Sequence, residues 1–167
     1  MSALHPAQLP TDKLLADCEI SRTRGSGPGG QHRNKVETAI VVKHRQTGIR
    51  GEASERRSQK LNRERAIFRL RVKLALDVRT EAAEEASSLW RSRTKSGRIS
   101  VSADHEDFPS LLAEALNMLA ENDYATTCTA KQLGISTSQL VKFLKIEPTA
   151  LAKVNRERQT HGDQPLR

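Results

Sequence analysis

Six residues, Gly25-Ser26-Gly27-Pro28-Gly29-Gly30, constrain the fold of this 167-residue chain more than any other stretch. Glycine carries the largest backbone-entropy cost in a helix or strand, and proline lacks an amide donor. Neither a helix nor a central strand can run through them, so the segment is a loop. Upstream, residues 11–15 suggest a helical turn and residues 17–24 alternate in polarity as a strand does. Downstream, residues 31–38 are polar and without period. Residues 39–44 are rich in β-branched side chains and read as a strand, Gln46-Thr47-Gly48 as a turn, and residues 49–53 as the returning strand of a hairpin.

Beyond the hairpin the period changes. Ser54 is expected to cap a long helix beginning near Glu55. Ile67, Leu70, Leu74 and Val78 share one face of it, with Phe68, Val72 and Ala75 widening the stripe. The pattern runs on through Ala82, Ala83, Ala86 and Leu89 to Trp90. Residues 92–102 read as a linker or short extended segment. A helix is then expected behind Asp107 and Pro109, another ending at Gly134, a third capped by Ser136, and a last one after Pro148. The fold class is therefore α+β. The expected divisions are a lead-in at 1–16, a first domain at 17–95, a linker at 96–108 and a helical domain at 109–167.

Charge follows the same division. The net charge is +8, yet residues 1–19 sum to −2, residues 20–95 to +11 and residues 96–167 to −1. In the middle block 14 Arg stand beside 5 Lys. Arginine binds phosphate bidentately and stacks on bases, so this block points to a nucleic-acid partner rather than to a merely solvated surface. No apolar run approaches the roughly 20 residues of a membrane span, and the first residues do not read as a secretory signal. Cys18 and Cys128 are the only cysteines. That excludes a disulfide framework and points to a cytoplasmic protein.

The glycine loop presents Gln31, a neutral amide that cannot serve as general base or nucleophile and is a poor metal ligand. What such a residue can supply is a backbone N–H and a side-chain amide beside a reacting oxygen. Arg22, Arg24, Arg33 and Lys35 flank it, so the substrate is expected to be polyanionic. His32 reads as a residue contacting phosphate or solvent, with proton shuttling the lesser reading. Nucleotide-binding glycine patterns are absent, and the five histidines show no metal spacing. No metal and no cofactor are expected.

Residues 26–39, Ser-Gly-Pro-Gly-Gly-Gln-His-Arg-Asn-Lys-Val-Glu-Thr-Ala, resemble the GGQ segment of class I peptide chain release factors. Residues 55–64, Glu-Arg-Arg-Ser-Gln-Lys-Leu-Asn-Arg-Glu, resemble the start of that domain's long helix. The resemblance covers about residues 17–80. It implies hydrolysis of the peptidyl-tRNA ester in the peptidyl transferase centre of the large ribosomal subunit. Gly29 and Gly30 would shape the loop. The backbone N–H of Gln31 would stabilise charge on the ester oxygens, and its side chain would position water. Arg22, Arg24, Arg33, Asn34, Lys35, Arg57, Gln59, Asn62 and Arg63 would contact ribosomal RNA, although for Ser58 and Asn62 capping or hairpin packing is an equal reading. The implied partners are ribosomal RNA, P-site peptidyl-tRNA and a glutamine methyltransferase acting on Gln31. The chain is expected to act as a monomer and away from membranes.

Full-length release factors carry a codon-reading domain for which 167 residues leave no room. The expectation is thus a codon-independent ribosome-rescue hydrolase, and both intact stalled ribosomes and split large subunits fit it. Such relatives sense stalling with a strongly basic tail, whereas here only Lys153, Arg156, Arg158 and Arg167 stand near the end. In that place Ala130-x-x-Leu133-Gly134-Ile135-Ser136-x-x-x-Leu140-Val141-x-x-Leu144 resembles a helix-turn-helix. Thr137, Ser138, Gln139 and Lys142 would face outward on its second helix. The alternative function is a non-enzymatic nucleic-acid-binding regulator that uses this motif; a small bundle that packs or binds protein is the plainer reading of the same residues.

Overall fold

The computed structural model describes residues 4–24 and 39–167. Its contacts divide into two units, Pro6–Leu74 and Ala75–Arg167, the latter taking in His5. Both helices and small antiparallel sheets are present, so the fold is α+β as the sequence indicates.

The first unit holds α1 (Thr11–Ala16), β1 (Cys18–Thr23), β2 (Ala39–His44), β3 (Arg50–Ala53) and most of α2 (Gln59–Asp77). The strands form an antiparallel sheet in the order β1-β2-β3. Cys18 pairs with His44 and Thr23 with Ala39 at the two ends of the β1–β2 ladder. On β2, Ala39, Ile40, Val42 and His44 are buried, and on β3 Gly51 and Ala53. Ala66, Leu70 and Leu74 of α2, spaced by four residues, are fully buried. A single helical stripe therefore supplies its side of this core.

Gly51 is the tightest point of that core. A β-carbon added there would lie 2.1 Å from the Ala66 carbonyl oxygen and 2.4 Å from the Leu70 nitrogen, so strand and helix touch backbone to backbone. At that separation the basic side chains of α2 reach the edge strand. Arg69 donates to the Glu52 carbonyl at 2.8 Å and Lys73 to the Arg50 carbonyl at 3.0 Å. Edge carbonyls that would otherwise be open to another chain are occupied. Arg71 donates to the Ala7 carbonyl at 2.8 Å and to Thr11 Oγ1 at 3.1 Å. With Ala7 and Leu14 fully buried, the expected lead-in is part of this core.

The long helix differs from its expected bounds at both ends. It starts at Gln59, because Ser58 caps it: the Leu61 amide donates to Ser58 Oγ at 3.3 Å. Ser54, the expected cap, instead donates its amide to the Glu55 carboxylate at 2.9 Å. The helix stops at Asp77, where the Arg79 guanidinium turns back onto the Ala75 and Leu76 carbonyls at 2.9 and 2.6 Å. Residues 78–87 are irregular, and a separate short helix, α3 (Ser88–Arg93), comes after Ser87, whose Oγ accepts from the Trp90 amide.

The second unit continues with a hairpin of β4 (Thr94–Lys95) and β5 (Arg98–Ile99), then α4 (Phe108–Glu121), α5 (Thr126–Gln132), α6 (Thr137–Leu144) and α7 (Pro148–Thr160). Trp90, Phe108 and Phe143 form its core. Trp90 meets Phe143 edge-on at 5.2 Å, and Phe108 lies 5.8 Å from Phe143. The Trp90 indole N–H donates to the Leu133 carbonyl at 2.9 Å, satisfying an acceptor at the end of α5. Buried Glu114 of α4 accepts from the Ser87 amide and hydroxyl at 2.7 and 2.6 Å. Asn117 accepts from the Thr80 amide and donates to its hydroxyl. These two side chains replace the hydrogen bonds that the irregular segment lacks.

The expected boundaries at 95/96 and 108/109 are not where the contacts divide. Residues 96–108 hold β5 and are tied down: Ser100 donates to the Arg93 carbonyl, and the Arg93 guanidinium grips Asp107 at 2.6 and 2.9 Å.

Replacing Gly51 with alanine is expected to lower stability by about 1–3 kcal/mol, the usual cost of overpacking a filled core. Urea unfolding should show a lower midpoint at an unchanged slope.

Candidate functional site

β1 and β2 are adjacent antiparallel strands, and their chain connection is residues 24–38, which contain the GGQ motif. Thr23 and Ala39, which flank it, are paired across the ladder. Gly29, Gly30, Gln31, Arg33, Asn34 and Lys35, and the expected polar segment 31–38, lie outside the described residues.

Six candidate side chains are described. Arg22 and Arg24 are exposed at the end of β1. Arg24 lines a cleft of about 160 Å³ with Thr23, Ala39, Glu55 and Arg69; the other five do not. Arg57 is exposed just before α2, Gln59 opens the helix, and Arg63 is exposed one turn on. Asn62 is a different case. It is fully buried, its Oδ1 accepts from the Arg56 amide at 3.0 Å, and its Nδ2 donates to the Arg56 carbonyl at 2.8 Å. Both ends of the amide are used to fold residues 56–62 into the helix start, the structural use that the sequence weighed equally with RNA contact. Ser58, as the cap, is structural too.

Two residues at this end of the sheet were not singled out from sequence. Arg69 forms a bidentate pair with Glu55, at 2.6 and 3.2 Å, while also holding the Glu52 carbonyl. Burial alone would raise the Glu55 carboxyl. The amides of Glu55 and Ser54 and the Arg69 guanidinium outweigh it and bring the group down to about 2. No local spacing announces this pair, since its members are 14 residues apart and meet only because β3 delivers Glu55 to the helix.

Among the described residues no group of three or more His, Cys, Asp or Glu side chains could hold a metal ion. Buried His44 is occupied by Thr47, with Nδ1 2.9 Å from Oγ1. Among the described residues the first unit presents exposed Arg22, Arg24, Arg57 and Arg63.

The family model of the RF-1 domain matches residues 13–107. This chain belongs to the class I peptide chain release factor family. It is 37% identical over 94 residues to peptide chain release factor 1 of Xylella fastidiosa, covering 56% of this chain and 26% of that protein. Identity to peptide chain release factor 1 of Chloroherpeton thalassium is 40% over 93 residues, with 56% and 26% covered. The chloroplast release factor PrfB1 of Arabidopsis thaliana is 42% identical over 73 residues, 44% of this chain and 16% of that protein. The chain thus spans about a quarter or less of the length of these relatives. The RF-1 match ends just before α4, so helices α4 to α7 lie outside it.

Two stability measurements check this geometry. Asn62→Ala should cost about 1–3 kcal/mol by leaving buried backbone groups unpaired, while Arg63→Ala should change urea stability by less than about 0.5 kcal/mol. Glu55 has a folded pKa below its ordinary 4.5, so its contribution is present above pH 4.5 and is lost as the pH falls through about 2. With both side chains over a third exposed, the pair contributes no more than about 1 kcal/mol. The stability gap between wild type and Glu55→Gln should be constant above pH 4.5 and close toward pH 2.

Proposed function

We propose that this protein hydrolyses the ester of peptidyl-tRNA on the ribosome and releases the nascent peptide without reading a stop codon. The observation that carries the reading is the GGQ motif in the sequence between β1 and β2, inside the region matched by the RF-1 domain. The proposed chemistry needs no general base from the chain. The backbone N–H of Gln31 donates to the developing oxyanion or the leaving ribose oxygen, its side-chain amide holds the attacking water, and Gly29 and Gly30 let the backbone approach that closely. The ribosome and the terminal ribose of the tRNA supply the rest. Arg22, Arg24, Arg57 and Arg63 are exposed and suited to phosphate contacts with ribosomal RNA.

Codon-independent action is supported by the helices beyond the matched region: within α4 to α7, residues 130–144 resemble a helix-turn-helix, an element for docking. Cytoplasmic action as a monomer and methylation of Gln31 by a glutamine methyltransferase belong to the same proposal.

The test is peptide release from purified ribosomes stalled on a truncated mRNA with an empty A site. Wild type should release peptide. Gly30→Ala, whose β-carbon keeps the backbone donor of residue 31 away from the ester, should reduce kcat by about 10²–10³. Gln31→Ala, which keeps that donor and loses only the amide that holds the water, should reduce kcat by less. Wild type that binds these ribosomes and releases nothing would overturn the proposal for intact ribosomes. The same assay on split large subunits bearing peptidyl-tRNA then decides the remaining form.

A further inference from the structure

The second unit carries a charged feature with no part in ester hydrolysis at the GGQ loop. The hairpin β4–β5 is only two residues per strand, and its register sets Lys95 directly opposite Arg98. Both are exposed, and neither has an acidic partner among the described residues. Like charges directly opposed on a two-stranded ribbon destabilise it. The turn adds a further cost, because Ser96 sits at φ 48° beside Gly97 at φ 70°. Side chains with a β-carbon rarely adopt that conformation.

A hairpin this short persists only because it is anchored. Thr94 donates its hydroxyl to the Trp90 carbonyl at 3.0 Å. Ser100 donates its amide to the Arg93 carbonyl at 3.0 Å. The Arg93 guanidinium, whose own charge is neutralised by Asp107, clamps the loop after β5. Lys95 and Arg98 are thereby held forward on a rigid base.

β5 packs against α6. That helix buries Leu140, Phe143 and Leu144 and leaves Ser138 and Lys142 on its outer side one turn apart, with Lys145 exposed beyond its end. The turn before it is set by Gly134 at φ 68°, where the amides of Gly134 and Ile135 return to the carbonyls of Lys131 and Ala130. Hairpin and second helix are thus adjacent rigid elements, each with cations that find no acidic partner among the described residues. The unit as a whole, these cations included, is slightly negative, with 12 Lys and Arg against 13 Asp and Glu over residues 75–167.

We infer that the β4–β5 hairpin and α6 form a second RNA-binding surface, in which Lys95, Arg98 and Lys142 take backbone phosphates of structured RNA. What favours RNA over duplex DNA is attachment to the first unit, since phosphate contacts are the same chemistry on either. A protein that holds duplex DNA by itself commonly neutralises about six to ten phosphates, and three cations give little affinity alone. They suffice for a surface tethered to a domain already engaged with RNA, where a short connection raises the effective concentration to about the millimolar range. The inference rests on the ribosomal reading for its biological setting, and on the hairpin geometry for its chemistry.

The experiment has two arms. In the first, kcat and KM for peptide release from ribosomes stalled on truncated mRNA are compared among wild type, Lys95→Glu/Arg98→Glu and Lys142→Glu. KM should rise about tenfold in the double variant and severalfold in the single one, with kcat within about twofold of wild type. In the second, the full chain is titrated by fluorescence anisotropy into a labelled RNA stem-loop and a DNA stem-loop of the same sequence. The double variant should bind the RNA more weakly, with a salt dependence shallower by about 1.5–2 in log–log slope. The charge-neutral Lys95→Gln/Arg98→Gln pair should fall between, and a melting temperature equal to wild type shows that both are folded. Unchanged KM and unchanged RNA affinity overturn the inference, as does a preference for the DNA stem-loop that disappears in the double variant. If wild type releases no peptide, the ribosomal reading fails by itself, and the stem-loop arm still decides whether this surface binds RNA.

Discussion

The close approach of β3 to α2 at Gly51 is the constraint on which the first unit depends. With no β-carbon between them, the strand lies against the helix backbone at Ala66 and Leu70. That separation lets Arg69 and Lys73 serve the carbonyls of Glu52 and Arg50. It also brings Glu55 to Arg69 and fixes the far end of the sheet, where Thr23 and Ala39 deliver the chain into and out of the GGQ segment. The basic residues in and beside α2 thus divide into two sets. Arg69, Arg71 and Lys73 are committed to backbone carbonyls of this fold, while Arg57 and Arg63 stay at the surface. Net charge alone overstates what the block offers to a polyanion.

The second unit depends on a different device. Residues 78–87 have neither helix nor ladder to satisfy their backbone, and α4 supplies the missing partners through Glu114 and Asn117. Burial pushes the Glu114 carboxyl up, and the amide and hydroxyl of Ser87 oppose that by bonding its oxygens. Polar groups placed on an otherwise apolar helix are costly unless every one is partnered. Here each is matched to a specific backbone position, so the segment can pack in only one register.

Much of this was legible in the chain because short-range chemistry decided it. The β2 strand, the turn at Gly48, the start of α7 at Pro148 and the Ser136 cap all come from the identity of a few adjacent residues. The GGQ motif and the run at 55–64 were legible as a resemblance, and the RF-1 match covers both. What sequence reasoning missed was set by residues distant in the chain. The apolar period of α2 continues past Asp77 in sequence, but the helix ends there because Arg79 takes its terminal carbonyls and α4 captures residues 78–87. For Asn62 the sequence left packing and RNA contact as equal readings, because the fold-back that lets Arg56 take both ends of its amide is not visible in local spacing. Ser54 and Ser58 are both good caps locally. The choice fell to Ser58, because Glu55 and Arg69 hold Ser54 in the loop.

Under the proposed function, the division of charge between the two units bears on how peptide release without a codon-reading step would be made selective. A loop that donates one amide to an ester has little intrinsic discrimination, and arginines on a rigid sheet bind RNA phosphates largely without regard to sequence. Selectivity then has to come from requiring two engagements at once. The proposed surface of three cations, weak by itself, would contribute only when the first unit is already bound and when the RNA lies within reach. On that proposal, weakness of the second surface would be what makes it useful: a strongly basic one would hold any RNA, and a neutral one would add nothing to the choice of site.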